Sequence, residues 1–335
     1  MLKIPSVGFA HSVKKHNVNM LTACDWVEAN VLFVEEKVSK ADIIDVLCDG
    51  EYYKDQDFAS EFVDNLWVQL RKRIAHLNEG SPFEIEATHI KRTKDWRQVP
   101  AYSFCLLLCL ASYYKKWAEK ANAEYIRQGH LFEKLTKESL EQHGWQVMQT
   151  GWSGDIENDD FTAIVKATAD YLHEDYINEP IVDLFEDAKD EGLDLVCHRP
   201  FIDNRGGRSA YFVQCASGAN WTRKLKEPDI SGVWSKLITF SSPPLRACAL
   251  PYAVEDKAFF IACGRVEGML LDRYRLLEVG HTNADWVSTD LAAGIIEWLE
   301  PRVASLIANL DENSSTPPAI PPVAPVTVPA ARATH

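Results

Sequence analysis

Two polar residues stand inside otherwise apolar, strand-like segments. Asp194 lies between two leucines in EGLDLV, and Gln214 lies in AYFVQCAS. Alternation puts Asp194 on the same face as Val196, and a buried amide costs free energy unless it is hydrogen-bonded or coordinates a ligand. Carboxylate and amide oxygens are hard ligands of the kind that Mg²⁺ or Mn²⁺ accepts. Both residues are therefore candidate metal ligands, with the backbone carbonyl of Cys215 as a third.

A divalent ion held this way suits the hydrolysis of a phosphodiester. The metal acidifies water and stabilises charge that develops on phosphate oxygens. Glu133, in the amphipathic stretch GHLFEKLTKESLEQHGW, could bind a second ion or orient the attacking water. A single Glu on such a helix is usually solvated surface, so the hypothesis depends on the three residues as a set.

The elements that must position these residues follow a definite order. The helix that carries Glu133 precedes a short alternating strand, WQVMQTG, and a mostly helical insertion over 158–189. Two strands, LDLVCHRPF and AYFVQCAS, are joined by DNRGG, which is favourable hairpin-turn sequence. A helix interrupted near Pro228 is predicted next, then strands at RACALPYAV and AFFIACGRV, and a closing helical region over 284–310.

The remainder of the chain suggests an α/β protein with an added helical region. Residues 1–100 are predicted to form a helical accessory or recognition domain, and residues 101–310 the main domain. The apolar run 101–114 is too short to span a bilayer and predicts a buried helix. Residues 311–335 are rich in Pro and Ala and are predicted to be disordered.

Three short motifs occur in a recognisable order: GHLFEKL, EGLDLV and YFVQCASG. Together they resemble the PD-(D/E)XK, restriction-endonuclease-like superfamily, in its Mrr-like branch, over roughly residues 128–280. The resemblance implies a mixed sheet flanked by helices and a Mg²⁺- or Mn²⁺-dependent DNA endonuclease of bacterial restriction or antiphage defence. It also implies catalytic roles for Glu133, Asp194 and Gln214, and a homodimer if both DNA strands are cut. Partner proteins of a defence system are a further possibility.

One position departs from that family's pattern. The lysine expected two residues after Gln214, on the same strand face, is Ala216 here. Lys224, in the following segment NWTRKLK, is the best substitute, and Arg223 and Lys226 are weaker ones. The alternative is a nuclease-fold module that binds nucleic acid without cleaving it.

The charge distribution bears on the partner. The formal net charge of −14 disfavours a general nucleic-acid coat protein and permits a third hypothesis, an acidic protein that senses or binds a protein partner. A local basic group is nevertheless expected to flank the metal site and follow a DNA backbone. Its members are Arg199, Arg205, Arg208, Arg223 and Lys226.

Other candidates have simpler explanations. Cys215 and His198 could form a thiol nucleophile and its base, although a core cysteine is commoner. Asp272, Arg273 and Arg275 are expected to form surface ion pairs. The eight cysteines include no CxxC pair, and the first residues do not resemble a signal peptide. These features predict a cytoplasmic location without membrane attachment.

Overall fold

The computed structural model describes residues 1–5, 7–9, 18–121, 124–150, 161–177 and 192–308. Within these ranges the chain is a mixed α/β protein in which helices surround a mixed five-stranded sheet. The predicted tail, and all of the predicted insertion except residues 161–177, lie outside the described residues.

The N-terminal region is mainly helical, as its apolar spacing predicts. Ser39 and Asp42 form a capping box at the start of the second helix, and Phe62, Leu66 and Leu70 are buried along the third. A three-stranded antiparallel sheet, order β1-β3-β2, was not predicted, since strands of three or four residues are too short to show alternation. The elements are α1 (Met20–Ala29), β1 (Lys37–Ser39), α2 (Lys40–Asp49), α3 (Gln56–Leu77), β2 (Phe83–Ile85) and β3 (His89–Arg92).

The apolar run after residue 100 is a core helix, α4 (Pro100–Tyr113), as predicted. It is buried from Ala101 to Leu110 and packs against α1. A single hydrophobic cluster contains Trp26 and Leu66 from the N-terminal region together with Phe104 and Val213 from the rest. The two predicted domains therefore share a core across residue 100.

The remaining elements are α5 (Lys115–Ala121), α6 (Tyr125–Gln142), β4 (Gln146–Gln149), α7 (Phe161–Leu172), β5 (Asp175–Tyr176), β6 (Leu195–His198), β7 (Ala210–Cys215), α8 (Ser235–Leu237), β8 (Ile238–Thr239), β9 (Leu245–Ala249), α9 (Asp256–Val266), β10 (Gly268–Leu271), α10 (Arg273–Leu277) and α11 (Thr289–Ala308). The five-stranded sheet has the order β10-β9-β7-β6-β4. Strand β6 is antiparallel to both of its neighbours, β4 and β7, whereas β9 and β10 run parallel to β7.

The two faces of this sheet pack against different helices. On one face, which we call the α6 face, Leu195 and Val213 join the core that contains α6 and α4. On the other, the α7 face, Val196 and Phe212 pack with α7. Cys248 of β9 lies on this second side, in a smaller cluster with α9. Neighbouring residues on a strand therefore point into different surroundings.

Two predicted elements were wrong. The segment AFFIACGRV is helix α9 rather than a strand: Glu255 caps it, and Ala262 and Val266, four residues apart, form its buried side. The helix predicted over 220–238, with an interruption near Pro228, is instead a set of short turns ending in α8. The interruption itself is present, because Pro228 lacks a backbone N–H and Asp229 begins a new turn by accepting from Gly232 N.

Candidate active site

Asp194 and Gln214 are cross-strand neighbours at one end of the sheet. The register pairs Leu195 with Val213, which brings Asp194 opposite Gln214. Gln214 Nε2 donates to Asp194 Oδ2 over 2.5 Å, and the two residues are only 2% and 8% exposed. Their side chains therefore meet on the α7 face of the sheet, as a shared metal site requires.

The carboxylate of Asp194 is held at the strand end by a second donor. Cys215 N donates to the same Oδ2 atom over 2.6 Å. The carbonyl of Cys215, a predicted ligand, lies 3.4 Å from Gln214 Nε2. The amide nitrogen of Gln214 thus faces Asp194 and Cys215, and its oxygen must point elsewhere.

The position expected to hold a lysine is filled by apolar packing. Ala216 is 2% exposed and lies in a cluster with Leu225 and Cys248. Leu225 anchors the turn that follows β7 in this cluster, and Lys224, the residue before it, is partly buried.

The charges of Lys224 and Asp194 both act on the thiol of Cys248. Cys248 pairs with Gln214 across β7 and β9. The pKa of this thiol is raised to about 12, mainly by burial and also by the charge of Asp194, whereas the charge of Lys224 lowers it. Lys224, eight residues beyond the position that the family motif uses, thus lies within electrostatic range of the same thiol as Asp194.

Glu133 reaches the same end of the sheet from the α6 face. Gln149 Nε2 donates to Glu133 Oε2 over 2.8 Å, and Gln149 belongs to the α6 face by alternation from Val147. Burial raises the pKa of the Cys215 thiol well above its usual range, and the charges of Asp194 and Glu133 add to the effect. Cys215 thus lies between the two carboxylates.

The predicted basic group divides between the two ends of the sheet. Arg199 and Arg205 lie in the connection between β6 and β7, which leaves the strands at the end opposite Asp194. Four or five residues at about 3.3 Å each separate the two ends by roughly 15 Å. The expectation that the hairpin arginines flank the candidate metal site was therefore wrong.

The individual basic residues have different surroundings. Arg199 stacks on Trp145 at 4.4 Å and donates to a backbone carbonyl, whereas Arg205 lies 3.6 Å from Asp203. Arg208 is buried and donates to the carbonyl of Arg205, so it is not a surface for DNA. Exposed basic side chains at the Asp194 end are Arg223 and Lys226.

The pairing of Cys215 with His198 as nucleophile and base was also wrong. His198 pairs with Ala210 at the start of β7, whereas Cys215 ends that strand. The raised pKa of the Cys215 thiol further opposes formation of a thiolate. Both residues are better explained as parts of the core.

A buried charge cluster was missed because its members lie far apart in sequence. Arg273, expected at the surface, is 0% exposed and donates to Asp25 Oδ1 over 3.1 Å and to Glu28 Oε2 over 3.2 Å. Arg73 binds the same two carboxylates. Burial raises the pKa of Asp25, but the charges of Arg273 and Arg73 outweigh this and lower it. The balanced cluster joins α1 and α3 to the start of α10.

Among the described residues, no group of three or more His, Cys, Asp or Glu side chains is arranged to hold a metal ion. A site at Asp194 would rely on the amide and backbone oxygens as well. No family model, curated protein or solved structure matches this chain. Of the helices in the described ranges, none is long and apolar enough to cross a membrane.

Proposed function

We propose that this protein is a divalent-metal-dependent DNA endonuclease of the PD-(D/E)XK type, acting in the cytoplasm in bacterial restriction or antiphage defence. The proposal is carried by the meeting of the buried Asp194 and Gln214 side chains on one sheet face. The same residues were selected as candidates from their sequence surroundings alone.

The order of elements also supports the proposal. Helix α6 is followed by the antiparallel strands β4, β6 and β7, and then by β9 parallel to β7. The resemblance to restriction endonucleases implies a helix, three strands, a connecting helix and a fourth strand in this order. In place of the connecting helix, this chain has the short turns that carry Lys224.

The donor set suits a hard divalent cation. Asp194 would hold Mg²⁺ or Mn²⁺ through its carboxylate and Gln214 through its amide oxygen. The carbonyl of Cys215, the third ligand expected from the sequence, lies beside the amide nitrogen instead. Gln214 Oε1 is buried without a hydrogen-bond partner among the described residues, as expected of an oxygen that coordinates a ligand. When bound, the metal would acidify water and offset charge on the scissile phosphate.

The remaining roles belong to the chain's own side chains. Lys224 neutralises charge that builds on the phosphate in the transition state. Glu133, on the α6 face and oriented by the bond from Gln149, would act from the strand end by orienting the attacking water or binding a second ion. Arg223 and Lys226 contact the DNA backbone at the same end of the sheet.

A nucleic-acid-binding module without catalysis is the second candidate. Ala216 favours it, because an apolar cluster occupies the position at which the family lysine would stand. The two candidates differ in whether Lys224 performs chemistry.

Cleavage of supercoiled plasmid and phage DNA with Mg²⁺ or Mn²⁺ tests the choice. We expect metal-dependent nicking by the wild-type protein and a loss of about 100-fold or more in Asp194→Asn and Lys224→Ala. Asp45→Asn and Lys257→Ala, at exposed positions on α2 and α9, serve as matched controls and should cleave normally. DNA binding without cleavage under every metal condition would support the binding module instead.

A further inference from the structure

The oxygen of the Gln214 amide points at a specific place in the molecule. A Cβ atom added to Gly192 would lie 2.9 Å from Gln214 Oε1. Since Nε2 already binds Asp194, the amide cannot turn its oxygen away without breaking that bond. The unpartnered oxygen is thus fixed beside Gly192.

The carboxylate of Glu227 borders the same place. The Cβ position of Gly192 lies 3.2 Å from Glu227 Oε2. The two oxygens are therefore at most about 6 Å apart, the sum of their distances to that position. Because Mg²⁺ usually keeps several water ligands, one carboxylate can bind it directly and another through water.

Local backbone structure brings Glu227 to the site together with Lys224. Glu227 N donates to Lys224 O over 3.0 Å, which closes a turn between them. Leu225, between the two, is buried against the sheet. In the described part of the chain Glu227 forms no ion pair with a basic side chain, and it is half-buried. Its negative charge is left available to a cation.

Glu133 lies on the other side of the sheet, where Gln149 Nε2 donates to it on the α6 face.

We propose that Glu227 is a ligand of the same divalent cation as Asp194 and the amide oxygen of Gln214, so that the second carboxylate of the site comes from the turn after β7. This assignment deepens the proposed nuclease function and rests on its metal site. It adds a ligand that the sequence motifs do not include, because Glu227 lies outside all three of them.

Titration of the full-length protein with Mn²⁺ tests the assignment directly. Binding is followed by calorimetry and by the electron paramagnetic resonance signal of free Mn²⁺, without DNA. We expect the wild-type protein to bind Mn²⁺ and Glu227→Gln to bind it roughly 10–100-fold more weakly. Glu79→Gln, at an exposed position beyond α3, is the matched control. Unchanged thermal unfolding of each variant would show that its fold is intact.

The outcomes separate this assignment from the nuclease proposal. Equal Mn²⁺ affinity in Glu227→Gln and wild type would overturn it, as would a larger loss in Glu133→Gln, even if plasmid is cleaved. Absence of Mn²⁺ binding by the wild-type protein would also overturn it. Loss of Mn²⁺ binding in Glu227→Gln by a protein that never cleaves DNA would uphold the cation site and reject the nuclease.

Discussion

Asp194 and Gln214 lie opposite each other on antiparallel strands, and the amide nitrogen of Gln214 binds the carboxylate of Asp194 over 2.5 Å. This bond fixes the amide, so its oxygen faces Gly192 and the carboxylate of Glu227. The hydrogen bond between these two buried residues thereby determines the direction in which the amide oxygen of Gln214 points. Gly192 leaves room for these two oxygens, because a side chain at this position would contact both of them.

Gly192→Ala should damage the site. Gly192 has a φ of +74°, and its new Cβ would come within 3.0 Å of both Gln214 Oε1 and Glu227 Cβ. We expect the variant to lose about 1–2 kcal/mol of stability from backbone strain and most of its Mn²⁺ affinity. Urea unfolding and Mn²⁺ titration measure the two effects.

Gly264→Ala is the matched control for that change. It lies within α9, and its added Cβ would have no neighbour within 4 Å. Alanine is the better helix former by about 0.5–1 kcal/mol, so this variant should be slightly more stable. Wild-type Mn²⁺ affinity in Gly192→Ala would show that the close approach at this glycine is unimportant.

The sequence indicated the pair Asp194 and Gln214 because each is a polar residue within an apolar strand. It could not indicate Glu227, since the segment around that residue was predicted to be a helix. The charge cluster of Arg273 was hidden for another reason: its partners lie more than 240 residues away along the chain. Local patterns reveal which face a residue occupies, but not which distant element covers that face.

The two ends of the sheet should contribute unequally to DNA binding. Arg223→Ala combined with Lys226→Ala should lower the affinity for a DNA duplex and reduce the slope of log affinity against log salt by about 1–2. Arg205→Ala, at the other end, should leave both quantities unchanged. Fluorescence anisotropy over a salt series measures them. A larger effect of Arg205→Ala would indicate that DNA binds at the connection between β6 and β7 instead.

Arg273→Met should be strongly destabilising. It leaves Asp25 and Glu28 buried with Arg73 as their only guanidinium partner among the described residues. Removing one member of a buried ion network typically costs about 3–5 kcal/mol. Arg265→Met, exposed on α9, should change the free energy of unfolding by less than about 0.5 kcal/mol. Urea denaturation of both variants tests this, and a cost below about 1 kcal/mol for Arg273→Met would show that Arg73 suffices.

Few of the eight cysteines should react quickly in the folded protein. All eight lie in the described residues and none forms a disulfide. Burial raises the pKa of Cys24, Cys105 and Cys197 to about 12, which suppresses their thiolates. Cys48, Cys215 and Cys263 are partly exposed, but the pKa of the Cys215 thiol is raised well above its usual range. Reaction with Ellman's reagent should therefore be fast at no more than Cys48 and Cys263, and at all eight after denaturation. Rapid labelling of Cys215 would restore the thiol nucleophile hypothesis.

His198 should make the fold sensitive to mild acid. Burial lowers the pKa of this imidazole below 6.5, and the charges of Arg208 and His173 lower it further. The unfolded chain therefore takes up a proton at a higher pH than the folded protein does. The contribution of the neutral His198 imidazole to folding stability is complete above about pH 6.5. It is lost as the pH falls through the lowered pKa of the folded state, at up to about 1.4 kcal/mol per pH unit.

His198→Phe keeps a ring against Tyr171, which packs edge-on at 4.9 Å, and removes the titration. Urea unfolding at several pH values between 7.5 and 5 should give a shallower acid slope for His198→Phe than for the wild-type protein or the exposed control His281→Gln. Equal slopes of unfolding free energy against pH in all three proteins would show that residues other than His198 cause the acid sensitivity.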